Sequence, residues 1–179
     1  MIDPAIELSL CFALALLFAA AAWHKTSDHI RFGAVLRAYD LLPSWLVAPA
    51  TRLLPLLEAS IAFGLLYPPT RQAAAIAALP LLALYTAAIY VNIARGRRDI
   101  DCGCFAASAR VPLSNWLVVR NAVLIVAACA LLLPTATRTL TWVDGLTVTA
   151  ALLTASLLWT AGQRLAQTGP TLRGFGGAR

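Results

Sequence analysis

The sequence predicts an all-α integral membrane protein, a four-helix transmembrane bundle core with a fifth spanning helix. Of its 179 residues, 60% are hydrophobic and only 12% are charged, whereas soluble domains carry about 25% charged residues. The apolar residues are grouped in long blocks, and a helix needs about 20 such residues to cross a hydrocarbon layer. The blocks lack the two-residue alternation of membrane β-strands, which leaves helices as the spanning elements.

Five apolar blocks predict five spans, at about residues 5–23, 47–67, 73–93, 116–133 and 142–161. No basic residue precedes the first block, so we interpret it as a spanning helix and not as a cleaved signal peptide. The last residues, 163–179, contain Gly and Pro without periodicity. We expect them to form a disordered tail.

A short amphipathic helix is predicted between the first two spans. Ser27 or Asp28 is a suitable N-cap, and Phe32, Leu36 and Tyr39 then share one face. Pro43 is expected to end the helix. Such a helix either lies in the membrane interface or belongs to an ordinary solvated loop, and the sequence does not distinguish the two.

The basic residues predict the orientation in the membrane. The net charge of +6 resides in segments between the blocks, without the basic runs interleaved with aromatic residues that nucleic-acid binding would need. The cytoplasmic loops of membrane proteins carry an excess of Lys and Arg. Across five spans the split is 12 to 2: one side holds Lys25, Arg31, Arg37, Arg52, Arg95, Arg97, Arg98, Arg110, Arg120, Arg164, Arg173 and Arg179, and the other holds Arg71 and Arg138. We therefore expect a multi-pass membrane protein with an outer N-terminus and a cytoplasmic tail.

The most informative motif is Cys102-Gly103-Cys104, in the predicted cytoplasmic loop between the third and fourth spans. A disulfide across a single residue closes a small, strained ring, and strain makes a disulfide easier to reduce. The motif therefore favours thiol–disulfide exchange. Two other interpretations stay open: part of a soft-metal site, with His24 and His29 as further ligands, or an inert reduced pair.

The other two cysteines, Cys11 and Cys129, lie inside apolar blocks, near the outer ends of the first and fourth spans. A second redox pair is conceivable there. A cysteine in an apolar helix is more often a small packing residue, and we expect that role for both.

Glu58 is a carboxylate near the middle of the second span. An unpaired charge in lipid costs several kcal/mol, so Glu58 is expected to face the bundle interior and to be protonated or paired. Its candidate partners are Lys25, at the end of the first span, and Arg120, one turn into the fourth. A structural hydrogen bond between helices would explain Glu58 as well as a functional role would.

A series of short motifs resembles the methylamine utilisation protein MauE family, which is related to DoxX-like membrane proteins. The resemblance covers about residues 5–133, and Asp101-Cys102-Gly103-Cys104-Phe105 is its most specific part. The other motifs are Lys25, Phe32, Tyr39, Leu41-Leu42-Pro43, Leu57-Glu58, Asn92-Ile93-Ala94-Arg95-Gly96 and Arg120-Asn121. Ala106 stands where the family usually has Gly, which affects the local turn and not the cysteine pair.

The resemblance implies a redox-associated membrane protein that assists the maturation or transport of a disulfide-rich partner, the small subunit of methylamine dehydrogenase. It also implies a thioredoxin-like partner and a location in the bacterial inner membrane. Cys102 and Cys104 would then carry the exchange, Lys25, Glu58 and Arg120 would tune or anchor the site, and a lipid-soluble acceptor such as a quinone could re-oxidise the pair. Two rival functions are a small transporter or metal-handling protein and a non-catalytic membrane scaffold.

Overall fold

The computed structural model describes residues 1–97, 99–100 and 113–175, with side chains as far as residue 162. These residues form six helices and a 3-10 turn at Pro68–Thr70. The helices are α1 (Pro4–Ser27), α2 (His29–Tyr39), α3 (Ser44–Leu66), α4 (Arg71–Ala94), α5 (Asn115–Ala130) and α6 (Trp142–Phe175). Four of the helices (α1, α3, α4 with the preceding turn, and α6) are long and apolar enough to cross a membrane, and α5 is a shorter apolar helix. The predicted all-α membrane class is confirmed.

Helix α2 is the predicted amphipathic helix. Its N-cap is Asp28, whose carboxylate accepts a hydrogen bond from the backbone N–H of Arg31 at 3.0 Å. Phe32, Val35 and Tyr39 are buried on one face. The helix ends earlier than Pro43, because Asp40 adopts a left-handed conformation with φ of 53°. Asp tolerates this conformation better than most residues and can terminate a helix there.

The main core lies between α1, α3, α4 and α5, which form the four-helix bundle. Leu14 and Phe18 of α1 meet Ile61 and Leu65 of α3 in one buried cluster. The same cluster includes small residues of α4 and α5, among them Ala75, Ala78 and Ala128. Small residues let helices approach closely, which is the main source of packing energy between helices inside a membrane.

Helices α5 and α6 end at different residues from the fourth and fifth predicted spans. The fourth span is predicted to reach residue 133, whereas α5 ends at Ala130. Pro134 follows shortly after, and the residue before a proline is disfavoured in a helical conformation. By contrast, α6 continues to Phe175, beyond the predicted end near residue 161. The disordered tail over residues 163–179 stays a prediction, and residues 176–179 lie outside the described part.

Helix α6 lies outside the four-helix bundle and packs mainly against α1. Most of its side chains from Trp142 to Leu158 are exposed and apolar, as expected of a helix surrounded by lipid. It also contacts α5 near Gly162, where an added Cβ would lie 2.9 Å from the ring of Trp116.

One end of the bundle is held by ion pairs, and we call it the Arg138 end. Arg138 donates to Asp3 at 2.8 Å and to Asp144 at 2.6 Å, which joins the N-terminus to the start of α6. The Arg138 guanidinium, with the backbone N–H of Ala5, holds the pKa of Asp3 below its usual value. Nearby, Glu7 accepts hydrogen bonds from Arg71 at 3.2 Å and from Thr135 at 2.8 Å.

The opposite end, which we call the α2 end, carries α2 and the end of α4. Arg97 lies 3.6 Å from the Asp40 carboxylate, and Arg95 donates to the Asp40 carbonyl at 3.4 Å. A second buried cluster lies there, formed by Val35, Tyr39, Ile89, Leu113 and Leu117. We call it the α2 cluster. Arg71 and Arg138 therefore share one end with the N-terminus, as the charge pattern predicts, while α2 lies at the other.

Candidate functional site

A buried ion pair joins α1 to α3 in the bundle interior. The Lys25 ammonium donates a hydrogen bond to Oε1 of Glu58, and the two side chains are only 4% and 1% exposed. Burying one of these charges alone would cost several kcal/mol, so each group stabilises the other. As predicted, Glu58 faces the interior and meets Lys25 of the first span.

Tyr85 of α4 completes this group, which we call the Lys25–Glu58–Tyr85 cluster. Its hydroxyl donates to Glu58 Oε1 at 2.8 Å and accepts from Lys25 Nζ at 3.0 Å. Lys25 Nζ also lies 4.5 Å from the centroid of the Tyr85 ring and 5.2 Å from that of Phe32. Such cation–π contacts help to stabilise an ammonium group away from water.

Tyr85 is not among the site residues predicted from the sequence. A phenolic hydroxyl in the middle of an apolar span needs a hydrogen-bond partner, and that requirement is the signal in the sequence that could have found it. Its two partners lie 27 and 60 residues away in the chain. Sequence spacing alone does not reveal such a pairing.

Arg120 of α5 lies beside this cluster and forms its own contacts. Its guanidinium donates to Asn121 Oδ1 at 3.3 and 3.2 Å and lies 5.0 Å from the ring of Trp159 in α6. A small cavity of about 30 Å³ is lined by Arg120 and Asn121 together with Lys25, Glu58 and Tyr85. Three of the predicted site residues, Lys25, Glu58 and Arg120, are therefore brought together across three helices.

Asn92 of α4 is a further buried polar residue, with no exposed surface. Its amide nitrogen donates to the carbonyl of Ala88 at 3.0 Å, while its amide oxygen has no hydrogen-bond partner among the described residues. A buried acceptor without a partner is uncommon in folded proteins. Asn92 lies in the last turn of α4, five residues before Arg97, where the first described range ends.

A larger, apolar cavity lies beneath α2, with a volume of about 200 Å³. Lys25 and Tyr85 of the polar cluster contribute to its wall. The remaining wall is apolar apart from the Tyr39 hydroxyl and comes from α2, the segment that follows it, α3 and α4: Phe32, Val35, Leu36, Tyr39, Leu41, Leu42, Leu54, Leu84, Ala88 and Ile89. We call it the α2 cavity.

The cysteine pair, Cys102 and Cys104, lies outside the described residues. The described residues on both sides of the pair pack in or against the α2 cluster. Leu113 is buried in the α2 cluster, and Ile100 packs against that cluster. Val35, Tyr39 and Ile89 belong both to the cluster and to the wall of the α2 cavity. Ile100 and Leu113, the described residues on either side of 101–112, therefore both lie at the α2 cluster, which borders this cavity.

The other two cysteines differ in their surroundings. Cys11 is buried within α1, with 1% of its surface exposed, as expected of a packing residue. Cys129 is exposed on α5. The packing role expected of Cys129 is therefore not seen in the structure, because its face of α5 points away from the bundle.

Comparison with known proteins identifies the family. The family model described as "Methylamine utilisation protein MauE" matches residues 3–135, which include α1 to α5 and exclude α6. The methylamine utilization protein MauE of Paracoccus denitrificans is 40% identical over 131 residues, 73% of this chain and 70% of that protein. The protein of the same name from Methylorubrum extorquens is 41% identical over 136 residues, 75% of this chain and 73% of that protein. No solved structure matches the chain. The family model covers most of the sequence, and the two relatives are 40% and 41% identical to it. The chain therefore belongs to the methylamine utilisation protein MauE family.

Proposed function

We propose that this membrane protein takes part in methylamine utilisation by exchanging disulfides with a partner protein through Cys102 and Cys104. The observation that carries the proposal is the packing of the described residues on either side of the pair. Its flanking residues, Ile100 and Leu113, pack into the α2 cluster at the α2 end of the bundle. A pair between these two residues would be available to a protein that approaches the α2 end.

The spacing of the two cysteines supports exchange over a structural role. A disulfide across Gly103 closes a small, strained ring and is therefore easily reduced. A thiolate of the partner attacks one sulfur of this disulfide, the S–S bond breaks, and a mixed disulfide forms. A second partner thiolate then attacks the partner's own sulfur in the mixed disulfide. The partner leaves with a new disulfide, and Cys102 and Cys104 keep two electrons and two protons.

The names of the relatives support the pathway, since both are called methylamine utilization proteins. A thioredoxin-like protein and a disulfide-rich client protein are the partners that this chemistry needs. In this scheme Lys25, Glu58 and Arg120 do not touch the exchanging sulfurs. They stabilise the part of the bundle beneath the segment, and Lys25 and Glu58 do so through the Lys25–Glu58–Tyr85 cluster.

Replacing the two cysteines tests this function. The Cys102→Ser and Cys104→Ser variants, each in the full chain in lipid nanodiscs, are expected to lose oxidation of a reduced dithiol peptide to the background level. One of the two single variants should also accumulate a mixed disulfide with its partner in cells, because the resolving thiol has been removed. The matched control is Cys129→Ser, since Cys129 is exposed on α5.

Three results would contradict the proposal. One is normal maturation of the client protein in cells that carry the Cys102→Ser, Cys104→Ser double variant. Another is a pair that alkylation finds reduced and unreactive under all conditions, and this result would favour a scaffold. The third is stoichiometric binding of a soft metal that both cysteines are needed to hold, which would favour metal handling.

A further inference from the structure

The α2 cavity has the size and the walls of a site for a small apolar ring. Its volume is about 200 Å³, and an apolar cavity of about 150 Å³ is large enough to bind benzene. The walls are aliphatic and aromatic side chains of α2, α3 and α4. Leu41 and Leu42, which also line it, are each 38% exposed, so this side of the cavity is open at the surface of the protein.

Lys25 provides a hydrogen-bond donor at the wall of this cavity. An ammonium group carries three N–H donors. Glu58 and Tyr85 accept two of them, and the third has no hydrogen-bond acceptor among the residues that the structure describes. Phe32, whose ring lies 5.2 Å from Lys25 Nζ, also lines the cavity. Lys25 also lines the small cavity beside Arg120, so a ligand in the α2 cavity that reaches Lys25 Nζ would meet apolar walls and one strong donor.

The charge balance selects the kind of oxygen that this donor would bind. The positive charge of Lys25 is already matched by Glu58 in the same buried cluster. A carboxylate or phosphate ligand would add a second negative charge, without a counter-charge in the described wall of the cavity, and burying such a charge is costly. A neutral carbonyl oxygen accepts a hydrogen bond without that cost. The α2 cavity thus suits a neutral, ring-sized apolar molecule that carries a carbonyl.

We propose that the α2 cavity binds the ring of a membrane quinone, with one carbonyl oxygen accepting a hydrogen bond from Lys25. The inference rests on the proposed function in one respect, since that function leaves a dithiol that must be re-oxidised. In that step the dithiol becomes a disulfide and releases two electrons and two protons. The quinone takes up both electrons and both protons and becomes a quinol. The bond formed is S–S, the two S–H bonds are lost, and two O–H bonds are gained.

The location of the cavity supports this role. Val35, Tyr39 and Ile89 line the cavity and belong to the α2 cluster, against which Ile100 packs. Ile100 precedes Cys102 by two residues in the sequence. A quinone in the α2 cavity would therefore lie beside the cluster against which Ile100 packs, two residues before Cys102 in the sequence.

Filling the cavity tests the proposal, with a matched control on the same helix. Ala88→Leu adds three carbons to the cavity wall, whereas Ala87→Leu adds them at an exposed position of α4 outside it. The measurement is equilibrium binding of a decyl-substituted benzoquinone to the full chain in nanodiscs. Ala88→Leu is expected to weaken binding by about fivefold or more, because the added carbons overpack the space that the ring would occupy. Ala87→Leu should bind as the unaltered protein does.

A second comparison separates carbonyl recognition from simple apolar binding. The Lys25→Met, Glu58→Leu double variant removes both charges together, and apolar replacement of a buried pair is commonly tolerated. This variant should bind the benzoquinone more weakly and decylbenzene unchanged. Equal affinity of the unaltered protein for both probes would overturn the proposal and identify an acyl-chain site. Undiminished quinone binding by Ala88→Leu would also overturn it.

The two proposals fail separately. The Cys102→Ser, Cys104→Ser double variant should bind the benzoquinone normally, because the cavity wall contains neither cysteine. If exchange is absent and binding persists, the proposed function alone is wrong. If the unaltered protein exchanges disulfides with its partner but binds no quinone, the quinone site alone is wrong.

Discussion

At the scale of single residues, the decisive feature is the Lys25–Glu58–Tyr85 cluster. Lys25 and Glu58 are among the few charged groups buried in the described part of the chain. A buried ion pair contributes little net stability compared with apolar side chains of the same volume, but breaking it by removing one partner is costly. The pair therefore makes the relative positions of α1 and α3 sensitive to either residue.

Replacing Glu58 tests this dependence. Glu58→Leu should lower the free energy of unfolding by about 3–5 kcal/mol, because it leaves the Lys25 ammonium buried without its carboxylate. Glu58→Gln should cost less, since an amide oxygen can still accept hydrogen bonds from Lys25 and Tyr85. Thermal or denaturant unfolding of the purified protein in detergent measures both changes.

Two further variants serve as controls for Glu58. Glu7→Gln removes a carboxylate that is 19% exposed at the Arg138 end, and it should cost about 1 kcal/mol or less. The Lys25→Met, Glu58→Leu double variant should recover much of the loss caused by Glu58→Leu alone. If Glu58→Leu unfolds at the same temperature or denaturant concentration as the unaltered protein, the ion pair is not a determinant of stability.

At the scale of helices, close packing between α3 and α4 depends on a small residue. A Cβ added at Gly64 would lie 2.9 Å from the Cβ of Ala74, closer than van der Waals contact allows. Because the atom it meets is attached directly to the backbone of α4, neither side chain can rotate away. The two helices would have to move apart.

Gly64→Ala should therefore destabilise the bundle, by about 1–3 kcal/mol of overpacking, less the gain in helix propensity. The matched control is Gly145→Ala in α6, where an added Cβ meets nothing within 4 Å. That variant should be neutral or more stable by up to about 1 kcal/mol, because Ala favours a helix over Gly. Unfolding in detergent compares the two, and equal stability of both variants would contradict the close α3–α4 contact.

At the scale of the whole molecule, the two ends of the bundle carry different chemistry. The Arg138 end joins the N-terminus, the start of α4 and the start of α6 through ion pairs. The α2 end carries the amphipathic helix, the end of α4 and the anchors of the cysteine segment. The charge split of the sequence predicts that the α2 end faces the cytoplasm.

Labelling of single cysteines in intact cells tests this orientation. Thr137→Cys and Ala38→Cys occupy exposed positions near the Arg138 end and on α2, respectively. In a background without other cysteines, a membrane-impermeant maleimide applied outside should label position 137 and not position 38. Cys104, kept as the sole cysteine, should also be protected. Labelling of Cys104 from outside would reverse the orientation and bring the exchange site to the periplasmic face.

The sequence by itself determined the class of the protein, the approximate positions of its helices and its family. Long apolar blocks and the cost of unpaired backbone groups in lipid leave few alternatives to spanning helices, and both properties can be read locally. The rule that buried charges need partners is likewise enough to select Glu58 and its candidate partner Lys25 from the sequence. The shorter α5 was missed although Pro134 is visible in the sequence, whereas the exposure of Cys129 could not be predicted, because it depends on how α5 is rotated in the bundle.

Only the tertiary structure decided which groups meet. Tyr85 joins Lys25 and Glu58 because three helices present these side chains at the same depth, and no spacing in the sequence encodes that rotation. The α2 cavity likewise exists only where α2, α3 and α4 fail to fill the space between them. Hydrophobicity is a property of each segment, whereas a cavity or a buried polar cluster is a property of the way segments pack.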